Sequence, residues 1–298
     1  MENTLNWREF IITRAIKASG YSAIVFVALI FFFLLREGLP ALLEVPLSTL
    51  FSIRWYPIEG YFGILPLITG SLIVTIGAAL IAIPFGIGTA VYISEIAPRW
   101  LREVIKPLVE LLGGLPSVVL GFLGILVLSP FLRQFLNLPT GLTAFTGSLL
   151  LGGIAVPTIV SIAEDALDSV PRSYREGAWA LGATRWQTIW RVTLPAARSG
   201  VLTAIMLGVG RAIGETMAVM MVTGNAPVLA IYPGSLFAPA RTMTATIAAE
   251  MGEVANASVH YHVLFFIGMV LFIISLIVNI VASSVVFQSK KRAERVLS

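Results

Sequence analysis

Apolar residues gather in six long stretches, at 18–35, 64–92, 105–128, 141–163, 200–223 and 262–287. Each carries few charges and is long enough to cross a hydrocarbon core about 30 Å thick as a helix. An even number of spans puts both ends of the chain on one side of the membrane. The segments between them differ in kind. Residues 164–199 are rich in Arg, Glu and Asp and include the helix-compatible run SYREGAWALGATRWQTIWRVTL, which predicts an ordered helix-turn-helix. Here the first helix should close at Gly182, and the second should end before Pro195. Residues 224–261 carry Pro227, Pro233 and Pro239 with Gly224, Gly234 and Gly252, so turns should give way to a short helix near TATIAAEMGEV. The amino end, MENTLNWREFIITRAIKASG, has no A-x-A site near the end of the apolar run it precedes, and is expected to be a retained anchor.

Composition agrees with the pattern. The chain is 57% hydrophobic and 12% charged, whereas a soluble domain carries roughly 25% charged residues. Fifteen of its 20 basic residues fall in the first, third, fifth and last polar segments. Arg36, Arg54, Arg133 and Arg241 fall in the others, and Arg211 lies within the fifth span. The positive-inside rule therefore predicts cytoplasmic termini in a cell (inner or plasma) membrane. Basic residues scattered this way do not predict a nucleic-acid partner. There are no cysteines, and the only histidines, His260 and His262, have no clustered ligands, which argues against disulfides, thiol chemistry and a metal site. No catalytic constellation is present.

Arg211 lies eleven residues past Gly200, roughly 16 Å into the fifth span, and Glu215 follows four residues later on the same predicted helix face. Two readings are open. The pair forms an i, i+4 ion pair that neutralises itself, or Arg211 offers its planar donor fork to an oxyanion. Gly210 and Gly214, with Gly208, predict close packing of a neighbouring span. In ELLGGLPSVVLGFLG, residues 110–124, Gly113, Gly114 and Pro116 should interrupt the third span, either as a packing kink or as a source of free amide donors. That stretch is not assigned to the site.

Glu176-Gly177-Ala178, three residues, Gly182, nine residues, then Val192-Thr193-Leu194-Pro195 resembles the EAA signature of binding-protein-dependent ABC importer permeases. Gly177 stands where Ala is usual and Val192 where Ile is usual. GVGRAIGETMAVMMVTGN and SLFAPARTMTATIAAEMGEV are similar to the C-type (PstC) permease family of phosphate-specific importers, a likeness running from about 64 to 287. The resemblance implies an all-α integral membrane fold of six transmembrane helices, the type I ABC importer transmembrane domain, with a cytoplasmic coupling helix. It implies a tail, first span and outer loop at 1–63, the transmembrane domain at 64–287 and a tail at 288–298. Glu176, Gly177, Ala178, Gly182, Leu194 and Pro195 would couple to an ATPase, while Arg211 and Glu215 would serve phosphate translocation. There a carboxylate accepts a hydrogen bond from protonated phosphate and repels sulfate. No phosphate-binding loop of the G-x-x-x-x-G-K-[ST] type occurs in the chain, so ATP and Mg would be bound by a PstB-like ATPase, with no cofactor in this chain. A PstA-like second permease, a PstS-like phosphate-binding protein and membrane lipid complete the implied partners. Alternatives are a permease for molybdate or sulfate, the A-type phosphate permease, or an ATP-independent secondary transporter or channel.

Overall fold

The computed structural model describes residues 7–297; the ends of the two expected tails, 1–6 and 298, lie outside them. Helix α1 (Trp7–Gly38) runs into the short helices α2 (Pro40–Glu44) and α3 (Leu47–Leu50) and a hairpin, β1 (Trp55–Tyr56) with β2 (Tyr61–Phe62). Then come α4 (Leu65–Val91), α5 (Arg99–Gly113), α6 (Ser117–Leu123), α7 (Ser129–Phe135) and α8 (Ala144–Asp168). The Arg-rich segment folds as α9 (Arg172–Ala180), α10 (Arg185–Thr188) and α11 (Leu194–Ala196), and is followed by α12 (Arg198–Gly214) and α13 (Met217–Val222). Helices α14 (Met243–Glu250) and α15 (Val259–Leu297) complete the chain. Among the described residues, five helices are long and apolar enough to cross a membrane, and six if the bent pair Arg185–Ala196 and Arg198–Gly214 counts as one span.

Small residues let α4 and α12 close onto α8. A Cβ added at Gly208 of α12 would stand 2.4 Å from Ile159 Cγ1, and one at Gly86 of α4 2.6 Å from Ile159 Cγ2. Such distances are sterically closed, so these glycines set the helix separation. The buried Ala82, Ala155, Ala163 and Ala204 continue the seam. Of the glycines expected to pack closely, Gly210 and Gly214 do not: a Cβ at either would meet nothing within 4 Å. The close approach is made by Gly208, and by Gly200 against Ala166, because that is the face turned toward α8.

Three expectations need correction. The third span is Ser117–Phe135 rather than 105–128, because Gly113-Gly114 ends one helix and Pro116 holds the backbone extended before the next (ψ 132°). The preceding α5 is amphipathic, with Trp100, Val104, Leu108 and Leu111 exposed on one face. The fifth span breaks after Gly214, where Glu215 is extended (ψ 128°). The helical path after Gly182 does not stop before Pro195. A π-turn at Ile189–Thr193 leads directly into α11, and its wider turn relieves the clash between a proline ring and the carbonyl one turn before it. The chain then bends by 74° into α12. The expected close of the first helix at Gly182 is as predicted, with φ at +78°.

Candidate functional site

Arg211 stands three residues before the end of α12 and is exposed on the surface of the chain. Its guanidinium donates from Nη1 to Thr158 Oγ1 of α8 at 3.0 Å and from Nη2 to the carbonyl of Gly113 at 3.1 Å. Both acceptors are neutral. The side chain therefore bridges α12, α8 and the helix break at the end of α5. Sequence reasoning kept Gly113 out of the site; the structure brings its carbonyl into it. A backbone acceptor far away in the chain leaves no trace in residue type.

Glu215 and Arg211 are not brought together as an ion pair. The helix ends between them, so the i, i+4 geometry is lost. Glu215 Oε1 instead accepts from the backbone N–H groups of Thr216 (3.2 Å) and Ala218 (3.3 Å), capping the start of α13. A carboxylate suits that position, where unsatisfied N–H groups give the helix its positive end. The Thr244 hydroxyl donates to the Glu215 carbonyl, tying the break to α14. Gly210 and Gly214 leave open space beside Arg211.

At the Arg-rich end, α9 to α11 form a knob. The carbonyl of Trp179 accepts from Gly182 N at 2.9 Å and that of Ala178 from Ala183 N at 3.0 Å, closing α9. Thr184 and Gln187 then form a reciprocal capping box for α10. Glu176, Gly177, Gly182 and Pro195 are exposed, Leu194 is half-buried, and Ala178 packs inward. Trp179 and Leu181 project outward beside them, Leu181 with 90% of its surface exposed. The knob is anchored by Arg175, half-buried, which donates three bonds to the Glu95 carboxylate, the shortest 2.6 Å, and others to the carbonyls of Val170 and Leu167.

A second polar cluster joins α5 to α8. Glu164 is 1% exposed and accepts from Arg102 at 2.5 Å and from Lys106 at 2.7 Å. Lys106 also reaches Asp165 at 3.0 Å, and Arg102 reaches Asp168, which in turn accepts from Ser94. The hydrogen bond that Lys106 donates to Glu164 raises its ammonium above the ordinary lysine value of 10.5. Glu164 is thus a buried acid of the bundle in addition to the half-buried Glu215. Glu164 escaped notice because its partners lie about sixty residues earlier in the chain and arrive by folding. At the opposite end His260 bonds Glu250 and His262 bonds Glu44, so the two histidines tie elements together.

Residues 82–293 match a profile described as the binding-protein-dependent transport system inner membrane component. The chain belongs to this family. Among the relatives of this permease is a probable ABC transporter permease protein, YqgH, of Bacillus subtilis (strain 168), 47% identical over 77% of this chain and 74% of that protein. The phosphate transport system permease protein PstC of Mesorhizobium japonicum is 36% identical over 92% of this chain and 90% of that protein. PstC of Xylella fastidiosa (strain Temecula1) is 36% identical over 84% and 81%. The fold of the permease is that of type I ABC importer transmembrane domains. A bacterial alginate ABC transporter superposes with a TM-score of 0.63 at 16% identity, covering 93% of this chain and 95% of that one. The MetNI methionine ABC transporter superposes with a TM-score of 0.58 at 19% identity, covering 79% and 99%.

Proposed function

We propose that the chain is one permease half of an ATP-driven importer for inorganic phosphate, with residues 64–287 as its transmembrane domain. The observation that carries this reading is Arg211, a permanent cation at a broken span whose fork is engaged only by neutral acceptors among the described residues. An arginine at membrane depth costs at least about 2.5 kcal/mol, and a planar fork is suited to an oxyanion. The PstC relatives, which are phosphate transport permeases by name, support phosphate as that oxyanion. Glu215 keeps one carboxylate oxygen free of the α13 cap among the described residues, and that oxygen can accept the proton of hydrogenphosphate.

In this reading α9 is the coupling helix, with Glu176, Gly177, Ala178 and Gly182 meeting a PstB-like ATPase that binds ATP and Mg, and Leu194 and Pro195 shaping the bend behind it. Trp179 and Leu181 supply the exposed apolar contact. A PstA-like permease forms the other half of the path, a PstS-like binding protein delivers phosphate to the end bearing α14, and the chain termini are cytoplasmic. The PstC relatives favour phosphate over molybdate or sulfate, and a channel would leave the knob without a task.

The test is ATP-dependent uptake of labelled phosphate by vesicles carrying the assembled transporter, with sulfate and molybdate as competitors. Phosphate uptake should resist both competitors and fall by about a hundredfold or more in Arg211→Gln, in line with loss of a charge-assisted bidentate contact. Uptake of another oxyanion, with phosphate a poor competitor, would overturn the substrate.

A further inference from the structure

Helix α5 is fastened to α8 at both ends by different chemistry. Near its start, Arg102 and Lys106 bond the buried Glu164 at 2.5 and 2.7 Å. At its end, the Gly113 carbonyl is held by Arg211 Nη2, while Nη1 of the same guanidinium sits on Thr158 of α8. The start of α5 is also wired to the knob. The π-turn Tyr92–Ile96 just before it carries Glu95, which holds Arg175 of α9 through its carboxylate and Arg185 of α10 through its carbonyl. Helix α5 itself begins just past that turn, across an extended Ala97–Pro98 step, and runs from there to the Arg211 contact.

The two ends differ in strength. Glu164 is a buried carboxylate held by two cations that stay about a third exposed, and stripped of both it would be a stranded buried charge. The Gly113 contact is a charged donor on a neutral carbonyl, and an oxyanion is a stronger acceptor for the same fork. A ligand that takes the guanidinium frees the carbonyl at a glycine-glycine helix end, where the backbone can turn.

We infer that α5 is a strap that reports substrate occupancy: an oxyanion at Arg211 releases the Gly113 end, and Glu164, by holding Arg102 and Lys106, carries the movement to the knob. Glu164 is then a positioning residue, acting through α5 and touching no substrate. The inference rests on Arg211 being the oxyanion contact. Coupling of this kind is reciprocal, so whatever closes on the knob must also change the affinity at Arg211.

The experiment is hydrogen–deuterium exchange on the assembled transporter in lipid nanodiscs, with and without inorganic phosphate, beside measurements of uptake and ATP hydrolysis. Phosphate should speed exchange of the amides at 111–115 several-fold, and Arg211→Gln should show the fast exchange with or without phosphate. Glu164→Gln should keep the phosphate-induced exchange, keep phosphate-independent ATP hydrolysis, and lower the phosphate-stimulated part about fivefold or more. Lys106→Gln removes half of the clamp and should shift the same ratio less, which guards against a Glu164→Gln protein that fails to assemble. Unchanged exchange at 111–115 under phosphate that is being transported in an Arg211-dependent way overturns the strap alone. So does a proportional fall of basal and stimulated hydrolysis in both clamp variants, the result of a merely structural role. If phosphate is not transported at all, the functional reading fails and the strap falls with it.

Discussion

Gly208 and Gly210 are two residues apart on the same helix and have opposite physical meanings. Ile159 fills the space where a Gly208 side chain would go, and nothing stands near Gly210. Gly208→Val should therefore cost about 1–3 kcal/mol by overpacking, seen as a lower melting temperature of the purified protein. Gly210→Ala should leave the melting temperature unchanged or raise it slightly, since alanine is favoured over glycine in a helix by up to about 1 kcal/mol. Equal effects of the two would refute the assigned α8 face. Lys106 gives a second test at this scale. Its ammonium is raised by Glu164, so the stabilisation from the pair is complete below the ordinary value of 10.5 and is lost only as pH rises through the higher folded value. The difference in thermal stability between Lys106→Gln and the parent should thus stay flat between about pH 6 and 9 and shrink above that range.

At the level of elements, the knob's first helix depends on one left-handed residue. Gly182 sits at φ +78° with open space around it, so Gly182→Ala meets backbone strain of roughly 1 kcal/mol and no clash. The variant should express and insert normally yet bind the ATPase subunit several-fold more weakly in co-purification, because α10 and α11 no longer leave α9 at the same angle. Gly182 was readable from spacing alone, since helix ends announce themselves through glycine. The third span was not read correctly. The apolar face of α5, with Trp100, Val104, Leu108 and Leu111, supplies enough hydrophobic residues to blur an amphipathic segment into the span beyond Pro116. The break after Gly214 was missed for a related reason: 200–223 is apolar apart from Arg211, Glu215 and its threonines, and Glu215 looks like a buried charge until its carboxylate is seen on the α13 amides.

For the whole molecule, the number of long apolar segments was legible, because a bilayer demands length and hydropathy that no loop supplies. The polar architecture was not, since the acids and bases of Arg102, Glu164, Arg175 and Glu95 meet only in three dimensions. The orientation can be checked directly in a chain without cysteines. Ile231→Cys and Leu181→Cys place single thiols on highly exposed positions at opposite ends. A membrane-impermeant maleimide should label Ile231→Cys in intact cells and Leu181→Cys only after the membrane is opened. The reverse pattern would invert the topology.

Helix α1 makes its helix contacts late in synthesis. It stacks Phe31 on Phe272 and sets Phe33 edge-on to Phe265, both in α15, and Gly38 lies against the backbone of Phe265 and Phe266. Helix α1 therefore pairs with a helix made long after it, and at synthesis rates of about 5–20 residues per second it waits many seconds in the bilayer for that partner. Its most apolar 18-residue window has a mean hydropathy of 2.3 and holds no buried residue, which is what such a wait requires: a segment stable in lipid by itself, free to diffuse until α15 is made.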